Sequence, residues 1–384
     1  MPGMDLAPNP HVIEHAGRTL ALMEGGTRPY ELTGDLDTIG PCDFAGTLPG
    51  GYAAHPKRDP RTGELHAVSW FFGWGNRVQY SVLGIDGRIR HTVDIEVAGS
   101  PLMHDFSLTG RHVVLYDLPV TFDLDAAATA VPRLFAGPAR SLMRRFIGRR
   151  RIPDRAVALM MRLGGTAVFP YSWNPDYPAR VGVMPRDSDG ADVRWFDLEP
   201  CHVFHALNAY DDGDQIVADV VRHPKMFATD HRGPNEGIPT LNRWTIDLAA
   251  GKVLEERLDD RAQELPRVDE RHVGKRHRYG YAADLVANAD GDIEVGDAVL
   301  KHDLASGRTD VRTFGTGCGS GEFVFVPNGP EAAEDDGVVM GFVYDASADR
   351  SDLVLLDAGT LDTVATVHLP ARVPYGVHGS WLPA

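Results

Sequence analysis

Cysteine is scarce in this chain and long apolar runs are missing, and each scarcity narrows what the molecule can be. Cys42, Cys201 and Cys318 stand far apart and form no CxxC pair, so neither a disulfide framework nor thiol chemistry is expected, and a reducing cytoplasm is. No stretch reaches the roughly 18 consecutive apolar residues of a membrane span. The opening Met1-Pro2-Gly3-Met4-Asp5 has neither the basic nor the apolar part of a secretion signal. Positive charge is also short: 38 Lys and Arg against 54 Asp and Glu leave a net charge of −16, the wrong sign for a nucleic-acid binder. Two common catalytic signatures are missing as well. There is no GxSxG elbow, and the glycine-rich Gly315-Thr316-Gly317-Cys318-Gly319-Ser320-Gly321 leads into a strand rather than opening a helix, so it fails as a dinucleotide fingerprint.

What the chain does have is β-structure. Runs such as His112-Val113-Val114-Leu115-Tyr116, Gln215-Ile216-Val217-Ala218, Gly337-Val338-Val339-Met340 and Leu353-Val354-Leu355-Leu356 have strand length and β-branched composition. Between them a turn signature returns, an apolar residue and Asp followed by a reversal, as in Ile246-Asp247-Leu248-Ala249-Ala250-Gly251 and His302-Asp303-Leu304-Ala305-Ser306-Gly307. Copies at Asp37, Asp86, Asp197 and Asp357 complete a series spaced at about 50 residues, with one double interval from 86 to 197. A period near 50 in an all-β chain predicts four-stranded propeller blades, and 1–384 is expected to form one propeller domain.

Four histidines in strand-like text fall on this period. His55 lies in Ala54-His55-Pro56-Lys57, His104 in Leu102-Met103-His104-Asp105-Phe106, His205 in Phe204-His205-Ala206-Leu207-Asn208-Ala209-Tyr210 and His378 in Gly376-Val377-His378-Gly379. His55 and His104 each follow their blade's Asp by 18 residues, whereas His205 and His378 follow Asp197 and Asp357 by 8 and 21. One buried histidine is ordinary. Four at the start of the innermost strands of four blades would aim one imidazole each at the propeller axis, which predicts a metal site. Imidazole alone does not choose between Fe, Cu, Zn and Ni. Each ligating ring also needs an acceptor for its second N–H, usually a carboxylate, and Glu24, Glu264 and Glu322 stand in suitably apolar or Gly-rich text.

The exception to the β-pattern is 126–163, where Leu142-Met143-Arg144-Arg145-Phe146-Ile147, Arg149-Arg150-Arg151 and Ala156-Val157-Ala158-Leu159-Met160-Met161 mix apolar and basic residues at helical spacing. It reads as a helical insertion, either packed on the propeller rim or dipping into an anionic membrane to admit a lipid-soluble substrate.

The segments around Glu24, His55, His104, His205, Glu264, Glu322 and His378, in this order, resemble the carotenoid cleavage oxygenases, including the retinal-pigment-epithelium isomerase branch. Asp59-Pro60, Thr62-Gly63-Glu64, Arg278-Tyr279-Gly280-Tyr281 and Phe325-Val326-Pro327 carry the same resemblance, which covers nearly the whole chain. It implies a seven-bladed propeller holding one Fe(II) per chain on His55, His104, His205 and His378. Glu24, Glu264 and Glu322 would back three of the rings, leaving His55 without a carboxylate. The implied reaction is scission of a conjugated C=C bond of a hydrophobic polyene by O2. The alkene supplies all four electrons, so no further cofactor is needed.

Two departures shape the expectation. About six repeat units are present and the chain opens almost at the strand of Glu24, so the first blade is expected to be incomplete. Stilbene-cleaving relatives typically place a Lys before that Glu to grip a phenol, and Met23 here favours a carotenoid or apocarotenoid. A stilbene-cleaving dioxygenase, a retinoid-type isomerase and a non-catalytic propeller that binds a metal or an apolar ligand are the alternatives.

Overall fold

The structure is a computed structural model that describes residues 11–129, 133–153, 155–157, 170–229, 236–287, 293–374 and 378–382. It is an all-β propeller whose described residues form six antiparallel blades and a two-stranded ribbon. Blade one contains His11–His15, Arg18–Leu22, Tyr30–Leu32 and Thr38–Pro41; blade two contains Lys57–Arg58, Leu65–Trp70, Arg77–Leu83 and Ile89–Glu96. Blade three contains Phe106–Leu108, His112–Asp117, Arg180–Pro185 and Arg194–Asp197, and blade four His202–Asp212, Gln215–His223, Thr240–Asp247 and Lys252–Asp259. Gln263–Arg267, Tyr279–Ala287, Ile293–Asp303 and Arg308–Thr313 form blade five. Cys318–Ser320, Val324–Pro327, Gly337–Asp345, Arg350–Asp357 and Thr363–His368 form blade six, so six blades stand where seven were expected.

At Asp86, Asp247, Asp303 and Asp357 the recurring Asp caps its turn through a side-chain oxygen. Asp247 Oδ1 accepts the N–H groups of Ala249 and Ala250 at 2.9 and 2.7 Å, and Asp303 Oδ1 those of Ala305 and Ser306 at 3.1 and 3.3 Å. Gly251 and Gly307 then take φ of 69° and 71°, where a side chain is strained, and the chain reverses into the fourth strand. Asp197 does not mark such a turn, because it ends the outermost strand of blade three. The equivalent reversal there runs through Asp187-Ser188-Asp189-Gly190, and Asp187 precedes His205 by 18 residues, the same interval as before His55 and His104.

Inner strands such as Leu65–Trp70, His112–Asp117 and Gln215–His223 bury both faces, which is why their text reads as continuous apolar runs, whereas outer strands such as Lys252–Asp259 and Thr363–His368 are largely exposed. Val114 and Val181 of blade three pack with Ile216, Val220 and Trp244 of blade four, all five fully buried. Similar clusters join blades one to two, two to three and five to six. Burying a Val or Ile side chain stabilises by about 1.5–3 kcal/mol, so these seams hold the ring together.

The insertion is less helical than its sequence suggested. It enters blade three between its second and third strands, carrying the ribbon Val120–Phe122 with Tyr171–Trp173 and the helices α1 (Leu124–Thr129) and α2 (Arg133–Met143). Past Met143 the chain turns, Gly148 takes φ of 68°, and Arg149-Arg150-Arg151 runs outside any helix toward Pro153. Residues 158–163 lie outside the described residues. Met143, Ile147, Ile152 and Val157 pack on Phe71 and Trp74 of blade two. Among the described residues, no helix is long and apolar enough to cross a membrane.

Candidate metal centre

Three of the four histidines stand in or just before the first strands of blades two, three and four, and the fourth follows the last blade. His55 precedes Pro56, which holds it extended, and stands just before the strand Lys57–Arg58. His104 likewise precedes Phe106–Leu108. His205 lies within His202–Asp212, where the pairing shifts register between Val203 and Ala206 and again before Asn208, a bulge that re-aims the side chain. His378 follows the last strand and belongs to none.

The four imidazoles converge. One nitrogen from each lies within 4.8 Å of the others, and His104 Nε2 stands 3.2 Å from His205 Nε2. Ring centroids are 4.4 Å apart for His55 and His104, 4.5 Å for His55 and His378 and 4.8 Å for His205 and His378. Metal–imidazole bonds of about 2.1 Å would separate neighbouring nitrogens by about 3 Å, so the His104–His205 approach fits two adjacent positions on one ion.

Three carboxylates face the outer nitrogens. His104 Nδ1 is 2.9 Å from Glu24 Oε1, His205 Nδ1 2.7 Å from Glu264 Oε2 and His378 Nδ1 3.1 Å from Glu322 Oε1. With Nδ1–H donated outward, each Nε2 lone pair is left pointing inward. No described carboxylate pairs with His55, and its Nε2 is buried without a hydrogen-bond partner, a costly state that a cation would relieve. Burial, with the neighbouring histidines, pushes His55 well below the usual imidazole range. Burial also lowers His205, partly offset by Glu264, whereas for His104 Glu24 outweighs burial and the net shift is upward. Glu264 is held strongly ionised: burial would raise it, but His205 and His223 pull it far down. A cation needs each ring to offer a free lone pair, which burial favours at His55 and His205.

Several participants were not foreseen. His223 donates from Nε2 to Glu264 Oε1 at 2.7 Å, so one carboxylate serves two rings. Trp70 Nε1 donates to Glu24 Oε2 at 3.1 Å. Phe204 stacks flat on His104, 3.9 Å away with ring planes 2° apart. His11 joins Ala54 O at 3.0 Å to Ser380 Oγ at 2.9 Å and so links the neighbours of His55 and His378. Glu24, expected in a strand, occupies the loop after Arg18–Leu22.

Residues 4–383 match the family described as retinal pigment epithelial membrane protein. A carotenoid cleavage oxygenase of Mycobacterium tuberculosis is 54% identical over 98% of this chain and 77% of its own length. Among solved structures, a cobalt-substituted Synechocystis apocarotenoid oxygenase superposes with a TM-score of 0.79 at 28% identity, over 97% of this chain and 74% of its own. A Pseudomonas brassicacearum lignostilbene dioxygenase does so with a TM-score of 0.82 at 26% identity, over 99% and 76%. Together with four histidines and three carboxylates gathered into one cluster, these likenesses show that the chain belongs to the carotenoid cleavage oxygenase family.

Proposed function

We propose that this protein is an Fe(II) dioxygenase that cleaves a conjugated C=C bond of a carotenoid or apocarotenoid with O2, giving two carbonyl products. The convergence of four imidazoles, three of them backed by carboxylates, carries this reading. His55, His104, His205 and His378 would hold one iron, which on binding supplies the activation of O2. The work of the chain is then positional. Glu24, Glu264 and Glu322 fix the rings with Nε2 inward. A donor set of histidines alone would leave a bound cation its full charge, with no carboxylate to offset it.

An aromatic series leads away from Glu24. Trp70 donates to it, Trp70 meets Tyr171 at 5.1 Å, Tyr171 meets Phe122 at 5.5 Å, and Phe122 meets Phe72 at 4.8 Å. We read this series as the side along which an apolar polyene would make dispersion contact. It ends at the insertion, where Leu142 is exposed beside exposed Arg144, Arg145, Arg149, Arg150 and Arg151. We read 126–163 as a peripheral contact with anionic membrane in the cytoplasm, through which the substrate is delivered.

The complete ring is proposed to have seven blades, the seventh between six and one. Phe342, Leu353 and Val367 stand side by side across blade six, with Phe342 and Val367 about half exposed, unlike the apolar rows sealed between other blades. Likeness to the lignostilbene dioxygenase supports a second reading, a phenolic stilbene substrate, against which Met23 argues. Incubation with an apocarotenal under 18O2 tests the proposal: both carbonyl products should carry label. Unlabelled isomers, or turnover of a hydroxystilbene alone, would replace it by the corresponding alternative.

A further inference from the structure

Two of the ligand-bearing motifs carry a charged residue that metal chemistry leaves unused, Lys57 in His55-Pro56-Lys57 and Asp105 in His104-Asp105-Phe106. The fold brings them together. Lys57 Nζ is 2.8 Å from Asp105 Oδ1 and 3.0 Å from Oδ2. The Asp105 side chain is only 1% exposed, and it holds more than the lysine. Oδ2 accepts the backbone N–H of Ala206 at 3.0 Å, and Oδ1 that of Phe106 at 2.8 Å. One carboxylate therefore ties the residue after His104 to the residue after His205 and to the residue two beyond His55. Blades two, three and four meet on it.

We propose that Asp105, with Lys57, is a positioning group that sets the mutual spacing of His55, His104 and His205; the inference rests on the four-histidine reading above. Only one or two backbone residues separate the clamp from each ring, so little slack intervenes. The three rings are drawn from different sheets, and no hydrogen-bonded ladder of a single sheet can fix their separation. Glu24 and Glu264 orient individual rings about their own axes, and His55 has no such carboxylate. An ionised carboxylate accepting two amide N–H groups and an ammonium is a strong, directional anchor in a buried place. Lys57 contributes from the rim of a cavity of about 360 Å³ that also reaches His55, Arg267 and Asn208. Its ammonium offsets the charge of Asp105 and completes the three partners of that carboxylate.

The test uses the full chain stripped of metal and titrated with Co(II), whose visible absorption reports coordination geometry. Lys57→Met and Asp105→Asn should each weaken Co(II) binding about 10–100-fold, the usual effect of outer-shell changes, and shift the visible bands. Lys57→Arg should restore both. The double variant Lys57→Met/Asp105→Asn removes both charges and guards against loss of fold from a lone buried charge. It should unfold like the metal-free wild type while still binding Co(II) weakly. Wild-type affinity and wild-type bands in Lys57→Met and the double variant would overturn the clamp. Failure of the wild type itself to bind Co(II) would overturn the four-histidine reading instead, so the two failures are separable.

Discussion

His205 Nδ1 stands 2.7 Å from Glu264 Oε2, and the second oxygen of the same carboxylate accepts from His223 at the same distance. Glu264 is buried, so both bonds are made away from water, and an N–H left without its acceptor there costs about 1–3 kcal/mol. Glu264→Gln keeps one acceptor oxygen for two N–H donors. Metal affinity should fall about 10–100-fold, and further in Glu264→Ala, which abandons both rings. Calorimetric titration of the metal-free variants checks this; equal affinities in all three proteins would remove Glu264 from the site.

Glu322 sets a pH dependence. Burial would raise its pKa, but Arg267, 3.8 Å away, and His378 outweigh it and hold the carboxyl at about 2 against an ordinary 4.5. A depressed carboxylate stabilises the fold above its unfolded pKa, and the benefit is lost as pH falls through the folded one. Metal-free protein should therefore lose up to about 3 kcal/mol through this group between pH 4.5 and 2. Glu322→Gln should be less stable than wild type at pH 7, with the gap closing toward pH 2. Denaturant titrations across that window measure it, and parallel curves would contradict the assignment.

The turns make a control prediction. Gly307 has φ of 71°, and a Cβ built on it meets nothing within 4 Å, so Gly307→Ala adds conformational strain without a clash. A loss of about 1 kcal/mol is expected, with metal affinity unchanged. A drop in affinity would show that the outer turns are coupled to the axis.

Met23 bears on substrate choice. Met23→Lys places an ammonium beside Glu24, where a phenol could be gripped. Activity toward a hydroxystilbene should rise relative to that toward an apocarotenal, read as a ratio of products by chromatography. An unchanged ratio would separate residue 23 from specificity.

The text around His55, His104, His205, His378, Glu24, Glu264 and Glu322 was legible because each stands in a short, distinctive strand or turn, and the structure gathers all seven. The propeller was legible for a related reason: an Asx turn needs its Asp and its left-handed Gly at fixed offsets, as at Asp303 and Gly307. Register was harder. Asp197 looked like a turn residue and is a strand end, while Asp187 held the true position 18 residues before His205. A seventh blade and a helical insertion over 126–163 were expected; the described residues show six blades, and within 126–163 they show helix at α1, α2 and 155–157 with a non-helical stretch around Gly148. His223, Trp70, His11 and the Lys57–Asp105 pair were not legible as partners, because each meets its contact across a strand pairing or a blade seam that no local pattern encodes.

The most direct test of the account is iron stoichiometry. Untagged protein, stripped of metal and titrated anaerobically with Fe(II), should bind one iron per chain, and His205→Ala, folded like wild type, should bind none. No iron on the wild type, or full occupancy in His205→Ala, would contradict the account at its centre.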